Sequence, residues 1–207
     1  MNILAIETSV AQASLCLYSG GEVKFATSWQ AERNHDAHLF PALQLALDSL
    51  PTPDLLDFIL VGAGPGSYGG VRVALAAGVG ISTVTQARLV ALESWAQLAE
   101  ADACVVADAR RGGWTVRFPD SSIEVLSPEQ LRQLPNVLNT VETAGVLSSK
   151  GIDNVRKEGL IPTAEGLVQT WLGMSEAERS RLEEKPAEPI YVRPPHITAA
   201  AKKPWEI

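Results

Sequence analysis

The chain has 207 residues, 46% of them hydrophobic, and carries 24 acidic against 17 basic side chains for a formal charge of −7. That length supports a substantial core, as one large domain or as two small lobes, and the composition excludes a disordered chain. The acidic balance argues against an extended surface that holds nucleic acid by counterion release, so any RNA is expected to reach this chain through a partner.

Three strand-like runs open the sequence, NILAIE (2–7), QASLCLY (12–18) and EVKFATSW (22–29). Gly20-Gly21 supplies the positive φ angles of a tight hairpin, which makes these runs antiparallel neighbours. In HDAHLFPALQLALDSL the leucines 39, 43, 47 and 50 recur at helical steps, and LPTP stops the helix. DFILVGA reads as a buried strand, a glycine-rich loop follows, and YGGVRVALAAGVGISTV reads as a helix despite Gly69, Gly70, Gly78 and Gly80. Each glycine costs a helix interior about 1 kcal/mol relative to alanine, so a close packing partner is expected there. A strand ARLVALE, a helix beginning at Ser94 and a strand ACVVADA complete a first lobe in the order βββαβαβαβ.

The pattern then restarts with strands WTVRF and SSIEVL and a helix SPEQLRQL, where Ser127, Pro128 and Gln130 occupy the cap, first-turn and capping-box positions. AGVLSS reads as a further strand, TAEGLVQTWLGM and SEAERSRLEEK as helices, and the tail from Pro186 as extended and proline-broken. The expected organisation is an α/β fold with a lobe over 1–104 and a smaller α+β lobe over 105–207.

GPGSYG, Gly64 to Gly69, matches the dinucleotide pattern G-x-G-x-x-G, but three strands and a helix precede it and Glu93 lies beyond the usual acidic spacing. No Gly-Lys-Ser or Gly-Lys-Thr follows, which excludes a mononucleotide phosphate loop. Two readings of the loop stay open: a helix N-terminus able to receive an anion, and a tight strand-to-helix turn. His35 and His38, three apart beside Asp36, read as solvated helix-start residues rather than a metal site, and Ser67 has no identifiable base. Glu7 and Asp108 would matter chemically if their strands placed both at one cleft. Cys16 and Cys104 lie in apolar runs without ligand spacing and are expected as buried thiols of a reducing compartment, the cytoplasm. MNILAIETS lacks a basic stretch before its short apolar run, and no segment is long enough to span a bilayer.

Four stretches together resemble the TsaB (YeaZ) family: ILAIETS with its antiparallel strands, GAGPGSYGGVRV, ADARRGG and PIYVR. The motif residues are Glu7, Gly64, Pro65, Gly66, Ser67, Arg72, Asp108, Arg110, Tyr191 and Arg193. The resemblance implies a two-lobed fold of the ASKHA class (actin, sugar kinases, chaperone ATPases), with ribonuclease-H-like sheets and a reduced second lobe. It also implies a non-catalytic scaffold that pairs with TsaD, and with the ATPase TsaE, in threonylcarbamoyl transfer to adenosine of tRNAs reading codons that start with A.

By the same resemblance this subunit alone binds no cofactor, ATP and a metal belong to the partner complex, and tRNA is met only through that complex. A homodimer is a further possibility, and no membrane is involved. The implied interface is a helical face with Leu43, Leu47, Tyr68, Gly70, Val73, Ala77 and Gly78. Gly69 stands where the family has threonine, and Glu7 where it commonly has aspartate. The rival reading is a stand-alone, metal-independent peptidase, hydrolase or ATPase of the same fold.

Overall fold

Gly20 and Gly21 take φ of 63° and 94° and fold strand β2 (Gln12–Ser19) back onto β3 (Glu22–Gln30), as the sequence led us to expect. The computed structural model describes residues 1–31 and 36–193. The expected helix-start His35, and the tail beyond Arg193, lie outside the described residues.

The first sheet has the order β3-β2-β1-β4-β5, with β1 (Asn2–Glu7) central, β4 (Phe58–Gly62) and β5 (Arg88–Leu92). β1 runs antiparallel to β2 and parallel to β4, which in turn runs parallel to β5. Both faces are covered, which is why β1 reads as an unbroken apolar run. Leu4 and Ile6 point toward helices α1 (Asp36–Asp48) and α2 (Tyr68–Thr85), meeting Leu39, Leu43, Val71 and Leu75. Ile3 and Ala5 point the other way, onto Leu167, Val168 and Trp171 of α4 (Ala164–Gly173).

The second sheet is formed by β6 (Ala103–Asp108), β7 (Trp114–Arg117), β8 (Ile123–Leu126), β9 (Val137–Thr140) and β10 (Val155–Lys157). Read from its β8 edge, its order is β8-β7-β6-β9-β10, the same wiring as the first sheet. Again the central strand is antiparallel to the next strand in sequence and parallel to the one after the third. Glu7 and Asp108 therefore end equivalent strands of two topologically matched sheets. The resulting fold is α/β, with two mixed five-stranded sheets flanked by helices.

Helix α3 (Pro128–Arg132) carries the expected capping box, with Ser127 Oγ accepting from Gln130 N–H and the Gln130 side chain accepting from Ser127 N–H. Helix α5 (Glu176–Glu183) starts on a second box, Ser175 with Glu178. Although both α4 and α5 lie in the segment assigned by sequence to the second lobe, they pack on the first sheet.

Three expectations need correction. The strand ACVVADA, expected to complete the first lobe, is instead the central strand of the second sheet, where it pairs with β7 and β9. The helix expected from Ser94 is a single 3-10 turn, Ala96–Leu98, because Ser94 is bound to the glycine loop through both its N–H and its hydroxyl. The strand expected at AGVLSS is a turn ending in left-handed Gly151; it buries Leu147 under the second sheet, while the strand lies earlier, at Val137–Thr140.

Candidate functional site

The three motif stretches that lie far apart in sequence meet where β1 and β4 end. Strand β1 delivers Glu7, Thr8 and Ser9, all buried. Strand β4 delivers the glycine loop, which contains a cis Gly64–Pro65 bond and ends at Ser67, whose hydroxyl caps α2 by accepting from Gly70 N–H at 3.3 Å.

The glycines of this loop are explained by the chain's own backbone. A Cβ on Gly66 would overlap the Ser9 carbonyl oxygen, one on Gly70 the Thr8 carbonyl oxygen, and one on Gly62 the Glu7 carboxylate. Two hydrogen bonds fix these approaches: Ser67 N–H donates to Ser9 O at 2.6 Å, and Thr8 Oγ1 donates to Gly70 O at 2.6 Å. Gly64 takes φ of 91°; its N–H donates to Ser94 Oγ at 3.1 Å and its carbonyl accepts from Ser94 N–H at 2.8 Å. The tight strand-to-helix turn thus accounts for the glycine spacing without any ligand.

Glu7 is fully buried. Its Oε1 accepts from Ser9 N–H at 2.7 Å, while Oε2 and Ser9 Oγ have no partner among the described residues. Burial pushes its pKa above the ordinary carboxylate value, opposed mainly by hydrogen bonding to Ser9. Asp108, at the matching position of the second sheet, is exposed and spends its Oδ1 on Arg110 N–H at 2.6 Å. Of the two carboxylates, Glu7 is buried and Asp108 is exposed and braces a turn.

The C-terminal stretch ties these elements together. Ile190 N–H donates to Ala63 O at 2.8 Å, joining the glycine loop. Tyr191 stacks on Tyr68 with centroids 4.8 Å apart and accepts from Arg72 Nε at 2.9 Å, while the Arg72 guanidinium lies 3.9 Å from the centre of the Tyr68 ring. Arg193 reaches the second sheet, donating from Nη1 to Arg110 O at 3.1 Å and Ala109 O at 3.4 Å. It lies so close over Gly113 that a Cβ there would displace it.

Sequence reasoning found each of these stretches but not their meeting. It also missed the bridge between the sheets, where Arg117 Nε meets Glu93 Oε1 at 2.5 Å with both side chains largely buried. Burial raises the Glu93 pKa despite the guanidinium beside it. The visible signal was an arginine closing a short strand of residues suited to burial, WTVR.

The expected interface residues divide. Leu43, Gly70 and Gly78 face inward: Leu43 is in the core, and a Cβ on Gly78 would fall 2.7 Å from Leu89 Cδ1 and 2.9 Å from Val61 Cγ1. Leu47, Val73 and Ala77 are half-buried against the same core. The outward face of the two helices carries other residues. Phe40 and Leu45 of α1 are 61% and 59% exposed, and Val79 and Val84 of α2 are 52% and 77% exposed, with Tyr68 at the near end. Gly69 and Gly80 open onto empty space beside them.

Elsewhere, a cleft of about 340 Å³ lined by Phe58, Arg88, Trp171 and Arg179 opens where β4 and β5 begin, at the opposite end of these strands from the glycine loop. Among the described residues, no group of three His, Cys, Asp or Glu side chains is placed to hold a metal ion, and no helix is long and apolar enough to cross a membrane.

Residues 29–126 match the TsaD family model, described as tRNA N6-adenosine threonylcarbamoyltransferase. No curated protein matches the chain significantly. Among solved structures, YeaZ from Pseudomonas aeruginosa is similar with a TM-score of 0.71 and 25% identity, covering 92% of this chain and 99% of that one. A Pseudomonas aeruginosa protein described as similar to peptidase YeaZ matches with a TM-score of 0.72 and 24% identity, over 93% and 99% of the two chains. The chain is thus similar to the TsaD family over residues 29–126 and shares the fold of YeaZ from Pseudomonas aeruginosa along nearly its whole length.

Proposed function

We propose that this chain is a non-catalytic subunit of the TsaD-related tRNA-modification system, and that it pairs through the outer face of α1 and α2 with a TsaD-like threonylcarbamoyltransferase. The observation that carries the reading is that face: four large apolar side chains stand open to solvent on two helices whose inner faces already fill a complete core. Exposed apolar side chains on helices that cover the same face of a sheet mark a protein contact. In α2 a single charge, Arg72, interrupts 18 residues. The burial of Glu7 and the self-filled glycine loop favour a scaffold over a catalyst, because Glu7 is closed off from solvent and the chain's own backbone fills the space beside Gly66 and Gly70. A TsaE-like ATPase, with ATP and metal, belongs to the assembly rather than to this subunit.

The test is co-purification from cells that express a TsaD-like protein, comparing the natural chain with Val79→Glu/Val84→Glu. Both side chains are open to solvent, so the variant should keep its Tm, lose the partner, and fail to restore N6-threonylcarbamoyladenosine measured in bulk tRNA. A variant that retains the partner would remove this face from the interface. Turnover of ATP or of a peptide by the purified chain alone, abolished by Glu7→Gln, would instead favour the stand-alone enzyme.

A further inference from the structure

The turn between β6 and β7 is built from the wrong residues if turning were its only task. Arg110, Arg111 and Gly112 take φ of 61°, 52° and 75°, three successive left-handed conformations. Asparagine and glycine are favoured in such hairpin turns, and an arginine held there is strained. The surroundings enforce the conformation: Asp108 Oδ1 accepts from Arg110 N–H, and Arg193 clasps the carbonyls of Ala109 and Arg110.

The consequence is a concentration of cations on an acidic protein. Arg110 and Arg111 project into solvent, the Arg193 guanidinium lies on the same turn, and Arg72 is reached through Tyr191, two residues before Arg193. Among the described residues, none of the four has a carboxylate within ion-pair distance, a state shared with Arg179 and Arg181 of α5, whereas Arg88, Arg117, Arg132 and Arg156 are paired. Two carboxylates at the turn bind backbone rather than guanidinium: Asp108 accepts from Arg110 N–H, and Glu142 from Asp108 N–H at 2.9 Å. Beside the arginines, Tyr68 and Tyr191 leave their stacked pair partly open to solvent.

We infer that this corner, formed by Arg72, Arg110, Arg111 and Arg193, is a contact for the phosphate backbone of RNA. The inference rests on the tRNA-modification reading above and revises one part of it, since RNA then touches this subunit directly despite its charge of −7. Guanidinium groups match phosphate oxygens in pairs, and exposed tyrosine faces accept unpaired bases. The negative charge elsewhere confines the RNA to this corner.

The test replaces the turn with the residues its backbone favours, Arg110→Asn with Arg111→Gly. Binding of an unmodified transcript of a tRNA that reads an A-starting codon is followed by fluorescence anisotropy across a salt series. It is measured for the chain alone and for the chain with its co-purified partner. The expected result is opposite movement of two readouts: Tm rises because the strain is relieved, while the transcript binds about tenfold more weakly and the salt slope falls by about 1.5, two phosphate contacts fewer.

A rise in Tm with unchanged affinity and slope, or a natural chain that binds no transcript in either setting, would overturn the inference. So would weaker association with the partner protein in the absence of RNA, because the corner would then be a protein contact. The chain-alone titration separates this outcome from failure of the subunit reading, which shows as loss of the partner while the arginine-dependent binding remains.

Discussion

Two glycines two positions apart in α2 should respond to alanine with opposite signs. At Gly80 nothing lies within 4 Å of the added Cβ, so Gly80→Ala gains only helix propensity, about 1 kcal/mol. At Gly78 the same methyl falls 2.7 Å from Leu89 Cδ1 and 2.9 Å from Val61 Cγ1. Carbon pairs settle at about 3.5–4.0 Å, so the helix must lift from the sheet or both side chains must move by more than half an ångström. Leu89 is half-buried and can yield, but Val61 is buried in β4, whose neighbours β1 and β5 hold it on both sides.

Overpacking of this kind costs about 1–3 kcal/mol, which outweighs the propensity gain and leaves Gly78→Ala about 1 kcal/mol less stable than the natural chain. The two variants should differ by about 2 kcal/mol, and at this chain length their Tm values by about 4–8 °C. Thermal unfolding followed by circular dichroism over a range of protein concentrations separates this effect from any contribution of association. Equal shifts in the same direction would refute the argument that Gly78 exists for the chain's own sheet.

Three further outcomes follow from the same geometry. Because burial raises the Glu7 pKa, the stability tied to its proton is complete below the ordinary value of 4.5 and is lost as pH rises through the folded value; the Tm of Glu7→Gln relative to the natural chain should therefore climb from pH 4.5 toward neutrality, and a constant offset would contradict it. Arg117→Met strands a largely buried Glu93 and should cost about 3 kcal/mol in urea unfolding, much of it recovered in the double variant with Glu93→Gln; additive losses would count against the pair. A chain cut to residues 1–104 leaves Ile3, Ala5, Leu60 and Val90 without α4 and should aggregate, while a peptide spanning 160–185 added during refolding should raise its solubility; a soluble, cooperatively folding 1–104 fragment would show that the first sheet needs no C-terminal helix.

The strand runs of the first sheet were legible because both of its faces are covered and its strands read as unbroken apolar stretches, as in NILAIE and DFILVG. Capping boxes were legible for the same local reason: Ser127 and Gln130 need only each other's backbone. What sequence could not convey was direction. The leucines and small residues of α1 and α2 looked like one broad apolar face, yet Leu43 and Gly78 point at the sheet while Phe40, Val79 and Val84 point away.

Helical spacing identifies faces but does not say which of two apolar faces is covered. The second sheet repeats the wiring of the first without a repeat in sequence, since topology constrains only burial and pairing. Ser94 misled because a serine ahead of a helical pattern reads as a cap, whereas this one is spent on Gly64, 30 residues away. The meeting of Tyr68, Arg72, Tyr191 and Arg193 depends on contacts across more than a hundred residues, which no local pattern encodes.

The packing of α4 on the first sheet also has a meaning for the order in which the chain leaves the ribosome. Strand β5 ends at Leu92 and α4 at Gly173, so about 80 residues must be made before the helix that covers Ile3, Ala5, Leu60 and Val90 exists. At roughly 5–20 residues per second that interval lasts about 4–16 s, long compared with the collapse of a hydrophobic chain. Throughout it the newborn first sheet has α1 and α2 on one side and bare apolar strands on the other. That side is open to aggregation until α4 is made, and slow translation of the second half lengthens the exposure.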